Sequence, residues 1–191
     1  MVELKYPYPD TSTQKGEEDF PVIDVQGNVI GRASRRYCHS GTMALHPVVH
    51  LHIFDHVGNL YLQKRSMTKD IAPGRWDTAV GGHVDYGENI LEALNREAEE
   101  ELGIMINNLT PKPLFDYVWK SSRECEIVNA FAIRYEGKIT PDLKEVDEGR
   151  FWSLEEIHAS LGKEIFTQQF EQEEIKRIIK YLDTYEISFC Y

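Results

Sequence analysis

No apolar run in this 191-residue chain approaches the roughly 20 residues needed to cross a bilayer. The opening MVELKYPYPDTSTQKGEEDF has no basic start followed by an apolar signal core, so neither a membrane span nor an export signal is expected, and a cytoplasmic protein is. Cysteine is scarce. Cys38, Cys125 and Cys190 are odd in number and share no C-x-x-C spacing, which excludes a disulfide framework and a zinc knuckle and leaves reduced thiols. Basic residues are outnumbered, 21 to 32, and the net charge of -11 would repel a nucleic-acid backbone. No nucleic-acid partner is expected. An acidic protein can take a small polyanion only if its excess carboxylates hold cations, so the clustering of the acids matters.

The length suits one domain with a full core. The first residues combine prolines, few aliphatics and several acids, so 1–19 reads as an extended arm ahead of a domain over 20–191. FPVIDVQGNVIGRASR reads as two strands around Gln26-Gly27-Asn28, and VVHLHIF with LYLQKR as a hairpin around Val57-Gly58-Asn59. LFDYVW and EIVNAFAIRY have strand composition, with Glu136-Gly137 as a turn after the second. From Asn89 to Leu102, apolar groups at Ile90, Leu91, Leu94, Ala98 and Leu102 follow a helical period, and Gly103 supplies the stop. SLEEIHASL opens on a capping-box pattern, Ser153 with Glu156, and TQQFEQEEIKRIIKYLDTY is a longer amphipathic segment. This order implies an α/β layered domain, a mixed sheet covered by helices.

The acids do cluster. Glu97, Glu100 and Glu101 stand at i, i+3 and i+4 and share one helical face, with Arg96 beside them. Three carboxylates on one face repel one another unless cations or Arg neutralise them, and hard oxygen ligands suit Mg²⁺ or Mn²⁺. A charge run on a helix is usually only a solvated face. Here, however, Gly82, Glu88, Arg96, Glu97, Glu100, Glu101 and Gly103 fall in a fixed frame, with apolar Ala98 and Ile104 between and after them.

That frame resembles the Nudix box, G-x5-E-x7-R-E-U-x-E-E-x-G-U, at every stated position. The resemblance implies the Nudix fold, a mixed sheet sandwiched between helices in α/β/α layers. It also implies a loop-helix-loop that binds metal and the diphosphate of a small-molecule substrate. Glu97, Glu100, Glu101 and the Gly81 carbonyl would hold one to three Mg²⁺ or Mn²⁺ ions, while Gly82, Glu88, Arg96 and Gly103 shape the motif. Glu100 is the first choice of general base, then Glu126, then Glu145, with Glu97 counted among the catalytic acids.

Within that superfamily the stretch from about Val22 to Glu156 looks most like isopentenyl-diphosphate isomerase and its hydrolase-like relatives. His39, His46 and His83 fall where the isomerases carry three histidine ligands, and Glu124 and Glu126 match their paired metal glutamates. These five imply a second divalent metal site of mixed N/O donors. Arg65 and Lys69 match positions that grip the diphosphate, a natural use of cations at a pocket rim. His50 and His52 have no counterpart in that site and are assigned to packing. The isomerases carry a catalytic cysteine immediately before the Gly-His pair, and here that position is Gly81. The protonating residue of isomerisation is therefore missing, while the box acids that hydrolysis needs are kept. The expectation is a diphosphate hydrolase, with a cysteine-free isomerase and a non-catalytic diphosphate-binding module as the other readings.

Overall fold

The computed structural model describes residues 17–185, and the expected N-terminal arm and Cys190 fall largely or wholly outside them. Nine strands and four α-helices are present among the described residues. β1 (Asp19–Ile23) and β2 (Val29–Ser34) form an antiparallel pair, with Gly27 at φ 84° where the chain turns between them. A single turn, α1 (Arg35–Cys38), follows, its N-terminus capped by the Ser34 hydroxyl. β3 (Leu45–Phe54) and β4 (Leu60–Arg65) make the second hairpin, antiparallel at Ile53 opposite Tyr61. β5 (Trp76–Asp77), β6 (Val80–His83), β7 (Lys112–Lys120), β8 (Cys125–Arg134) and β9 (Val146–Trp152) complete the strands.

The larger sheet has seven strands, ordered β5-β4-β3-β8-β7, with β6 also paired to β3 and β9 to β4. Its helices are α2 (Ile90–Leu102), α3 (Leu154–Ser160) and α4 (Ile175–Tyr185). A π-helical turn, Phe170–Glu174, leads directly into α4. The capping box at Ser153 and Glu156 forms in both directions, as the spacing predicts. The charged strand β9 is absent from the sequence reading. VDEGRFW lacks alternating apolar residues and is a strand because its backbone pairs with β4 from Leu60 to Arg65.

Two compact units share the described chain. One comprises the residues up to Val49, Gly82–Ala93 and Asp116–Asn129; the other comprises His50–Gly81, Leu94–Phe115 and Ala130 onward. The first has a small core of Phe20, Val22, Ala33, Cys38 and Ala44. The second has a larger aromatic core in which Trp76 and Trp152 meet edge to face, 5.0 Å between centroids, beside Phe166 and Phe170. Each buried aromatic there contributes on the order of 1.5–3 kcal/mol through the area removed from water. No helix among the described residues is long and apolar enough to cross a membrane.

Candidate active site and metal centre

The acid-bearing helix is built as its sequence dictates. Asn89 accepts at its side chain from the Leu91 and Glu92 N–H groups, and the Glu92 carboxylate accepts from Asn89 N–H, a reciprocal cap. Just before it, Glu88 accepts from Asp85 N–H at 3.1 Å and closes the preceding loop. At the far end Gly103 takes φ 65°, where a Cβ would come within 3.3 Å of the Thr140 carbonyl, so glycine is required there.

The three acids of this helix differ in setting. Glu101 is buried; its carboxylate accepts from Gln63 Nε2 at 3.0 Å and from Gly81 N–H at 3.2 Å. Burial first, then the charge of Glu97, pushes its pKa up to about 7. Glu97 is half-buried and Glu100 exposed, and one Arg96 nitrogen reaches both, at 2.7 and 3.2 Å. Arg96 therefore fixes two carboxylates while the third is held by an amide and a backbone N–H. Gly81 thus joins the site through its N–H contact with Glu101. A buried carboxyl whose ionisation is disfavoured first by burial and then by a neighbouring carboxylate is the setting that a divalent cation would relieve, so these residues fit a hard divalent cation. Arg65 donates from Nε to the Ile71 carbonyl at 3.0 Å and pairs with Asp77 at 3.4 Å, whereas Lys69 pairs with Glu145. Gln63 is the member that sequence reading missed, since nothing in LYLQKR marks its amide for a carboxylate.

In the other unit, His39, His46, His83 and Glu126 each offer one ligand atom, all within 4.8 Å of one another. His39 ends α1, His46 lies on β3, His83 ends β6 and Glu126 lies near the start of β8. Their tautomers can be assigned from their partners. His46 Nδ1 donates to the Ala44 carbonyl at 2.8 Å and so presents an Nε2 lone pair, while His39 Nδ1 lies 3.2 Å from a Glu124 carboxylate oxygen. The Arg35 guanidinium, which can only donate, lies 3.3 Å from His83 Nδ1, and His83 Nε2 then directs its proton at His39 Nε2, 3.0 Å away. Glu124 acts here on the rear of His39 rather than within the four-residue group.

Burial, with Arg35 contributing, lowers the His39 pKa to about 3, and burial likewise lowers that of His46, so both rings are neutral at neutral pH. His46 Nε2 is buried without a hydrogen-bond partner, a cost of about 1–3 kcal/mol that a cation would offset. Metal–ligand bonds are about 2.0–2.2 Å, so the four ligand atoms would draw in around an ion. Neutral imidazoles with one carboxylate fit a divalent metal. Phe20, also missed in the sequence, stacks on His83 at 4.2 Å with an interplanar angle of 2° and closes one side of the group.

Known proteins resemble this chain in sequence and in fold. The family model of the NUDIX domain matches residues 44–172. An uncharacterized Nudix hydrolase of Yersinia pestis is 33% identical over 144 residues, 72% of this chain and 74% of that protein. An isopentenyl-diphosphate Delta-isomerase of Brevibacterium linens is 31% identical over 144 residues, 73% of this chain and 79% of the isomerase. A solved structure of a Deinococcus radiodurans protein superposes with a TM-score of 0.74 at 23% identity, covering 84% of this chain and 98% of that one.

Proposed function

The chain belongs to the Nudix hydrolase family, and we propose that it is a Mg²⁺- or Mn²⁺-dependent hydrolase of a nucleoside diphosphate-type or other small organic diphosphate, working in the cytoplasm. The observation that carries this reading is Glu101, buried against Gln63 and Gly81 with its carboxyl pushed up to about 7 beside Glu97. Glu97, Glu100 and Glu101 would hold the cations, with the Gly81 carbonyl as a further ligand. Bound there, the ions supply charge neutralisation of the diphosphate and acidify water. Arg96 keeps Glu97 and Glu100 in place, and Gln63 orients Glu101. Lys69 and Arg65 stand for the cations that meet the phosphate oxygens.

In the reaction a water oxygen attacks phosphorus, the bridging P–O bond breaks, and the leaving oxygen keeps the electron pair. Glu100, exposed and tied to Arg96, takes the proton of the water. Glu145 is the poorer base, because Lys69 already pairs with it. Glu126 belongs to the histidine group, where a second divalent metal would bind.

One relative of similar identity is named an isomerase, which keeps that activity as the competing reading. Against it stands Gly81, which has no group to protonate a carbon. Cys38 and Cys125 are buried, and burial pushes the Cys38 thiol up to about 12, so it stays protonated and inert. The test incubates the protein and Mg²⁺ or Mn²⁺ with nucleoside di- and triphosphates, nucleotide sugars and isopentenyl diphosphate, followed by ³¹P and ¹H NMR. Release of a phosphorus product that EDTA abolishes is expected. Double-bond migration with no phosphorus product would overturn the proposal in favour of the isomerase.

A further inference from the structure

Arg65 is tied down more tightly than a rim cation needs to be. It lies on β4 two residues beyond Gln63, and alternate residues of a strand point to one face, roughly 6.5 Å apart. Its side chain therefore shares the face on which Gln63 meets Glu101. Asp77 of β5 pairs directly opposite Gln63 and stands on that face as well. Lys69 is near enough to Glu101 for its charge to oppose the rise of that carboxyl's pKa. A buried carboxylate of the metal helix thus has both cations of the 65–69 stretch beside it.

The guanidinium is gripped at two of its three nitrogens. Nε donates to the Ile71 carbonyl at 3.0 Å, and Nη1 to Asp77 Oδ2 at 3.4 Å. The residue after that carbonyl, Ala72, takes φ 47°, a conformation that a side chain disfavours and that its surroundings must impose. Asp77 in turn is fixed from behind. Its Oδ1 accepts from the Thr78 N–H and from the Thr167 hydroxyl, both at 2.9 Å. The Thr78 hydroxyl lies 3.1 Å from Nδ1 of buried His52, which together with His50 flanks the buried carboxylate of Glu174. With Oδ1 taken, Asp77 does not make the two-pronged pairing that would use up both terminal nitrogens of Arg65. Nη2 has no partner among the described residues, and the side chain is 22% exposed.

We propose that Asp77 is a positioning residue of the hydrolase, holding Arg65 by Nη1 so that Nη2 donates to a non-bridging oxygen of the diphosphate. The inference rests on the hydrolase reading above and adds to it a residue outside the Nudix box. A guanidinium fixed before the substrate arrives loses little freedom on binding, and its N–H to a phosphate oxygen is charge-assisted. Thr167 supports Asp77 from the segment that leads into the π-helical turn.

The test is a double-mutant cycle on the full chain. The Kd of methylenediphosphonate in saturating Mg²⁺ is measured by isothermal titration calorimetry for wild type, Asp77→Asn, Arg65→Lys and the double variant, with a thermal melt of each and kcat and KM for hydrolysis. Asp77→Asn keeps the shape and an oxygen for Thr167, and should raise Kd about tenfold, the scale of a lost charge-assisted hydrogen bond. In the Arg65→Lys background the same change should cost less than about twofold, because a residue that acts through Arg65 has nothing left to position. Thr167→Val, which leaves both charges in place, should raise Kd about two- to threefold. If Asp77→Asn loses its cooperative melt, Thr167→Val decides alone, and an unchanged Kd there overturns the proposal. Equal factors in the two backgrounds, or a lowered Tm with an unchanged Kd, would overturn the role of Asp77, while hydrolysis by the wild type leaves the hydrolase reading standing. A wild type that binds no probe overturns the contact. The expected cycle in a protein that releases no phosphorus product from any substrate would keep the role of Asp77 and overturn the hydrolysis.

Discussion

The carboxylate helix and the histidine group solve opposite electrostatic problems. On α2 the difficulty is surplus charge: Glu101 is buried beside Glu97, and its pKa is pushed up to about 7. In the histidine group it is surplus lone pairs: His39 and His46 are held neutral by burial, and His46 Nε2 has no hydrogen-bond partner. A cation would relieve both, but different cations suit them. Oxygen-only donors favour Mg²⁺ or Mn²⁺, while three imidazoles with one carboxylate suit metals that accept nitrogen. The acid site must shed a proton as it loads near neutral pH, whereas His39 and His46, held neutral by burial, need shed none.

The largest expected effect tests the first half of this contrast. Glu101→Gln keeps an oxygen to accept from Gln63 and Gly81 and removes the charge. It should lower kcat by about 10²-fold or more, the scale of losing several kcal/mol of charge stabilisation. The metal-free variant should nevertheless melt higher than wild type at pH 8, because the repulsion between residues 97 and 101 is gone, by about 2–4 °C per kcal/mol in a chain of this size. Steady-state kinetics and differential scanning calorimetry in EDTA read the two signs. Loss of activity together with a lowered Tm would mean that Glu101 is a structural acid.

The second effect is smaller and belongs to the histidine group. His46→Gln removes the orphaned lone pair and should weaken binding of a transition metal about 10- to 100-fold, measured by competition with a chromophoric chelator. Retained affinity would show that the four side chains gather without serving as ligands.

These two regions were not equally legible. The acids could be placed because a helix maps spacing onto a face directly: i, i+3 and i+4 meet whatever the rest of the chain does. What spacing could not supply was the difference among the three, since Glu101 is buried by Gln63 and Gly81, which come from β4 and β6. The histidines come from α1, β3 and β6, and no local period joins them; only a resemblance did. The hairpins and α2 were legible from turn residues and apolar period, whereas β5, β6 and β9 depend on pairing with distant strands. Phe20 against His83 and Glu174 against His50 are likewise contacts between residues far apart in sequence, and nothing in their neighbours announces them.

The smallest expected effect concerns acid stability and carries the contrast into the whole fold. His52 is fully buried, and burial lowers its pKa to about 4 against the opposing pull of Glu174. Between pH 6.5 and about 4 the unfolded chain therefore binds a proton at His52 that the folded chain does not, so stability falls as pH falls through that window. Glu101 acts in the opposite sense: with its folded pKa raised to about 7, the folded chain binds the extra proton, and acidification from about 7 to 4.5 adds stability. The two oppose each other in one unit, whereas in the other unit His39 and His46, both lowered, have the same sign as His52. Acidification of the metal-free protein should then weaken it overall. His52→Gln, neutral at every pH and still able to bond to Thr78, should flatten the dependence by at most about 1.4 kcal/mol per pH unit, the limit for a single proton. Tm measured in EDTA at half-unit steps from pH 7.5 to 4.5 reads the difference between the two curves. A variant whose curve runs parallel to that of wild type would show that His52 keeps its proton in the fold, and that the carboxylate of Glu174 prevails there over burial.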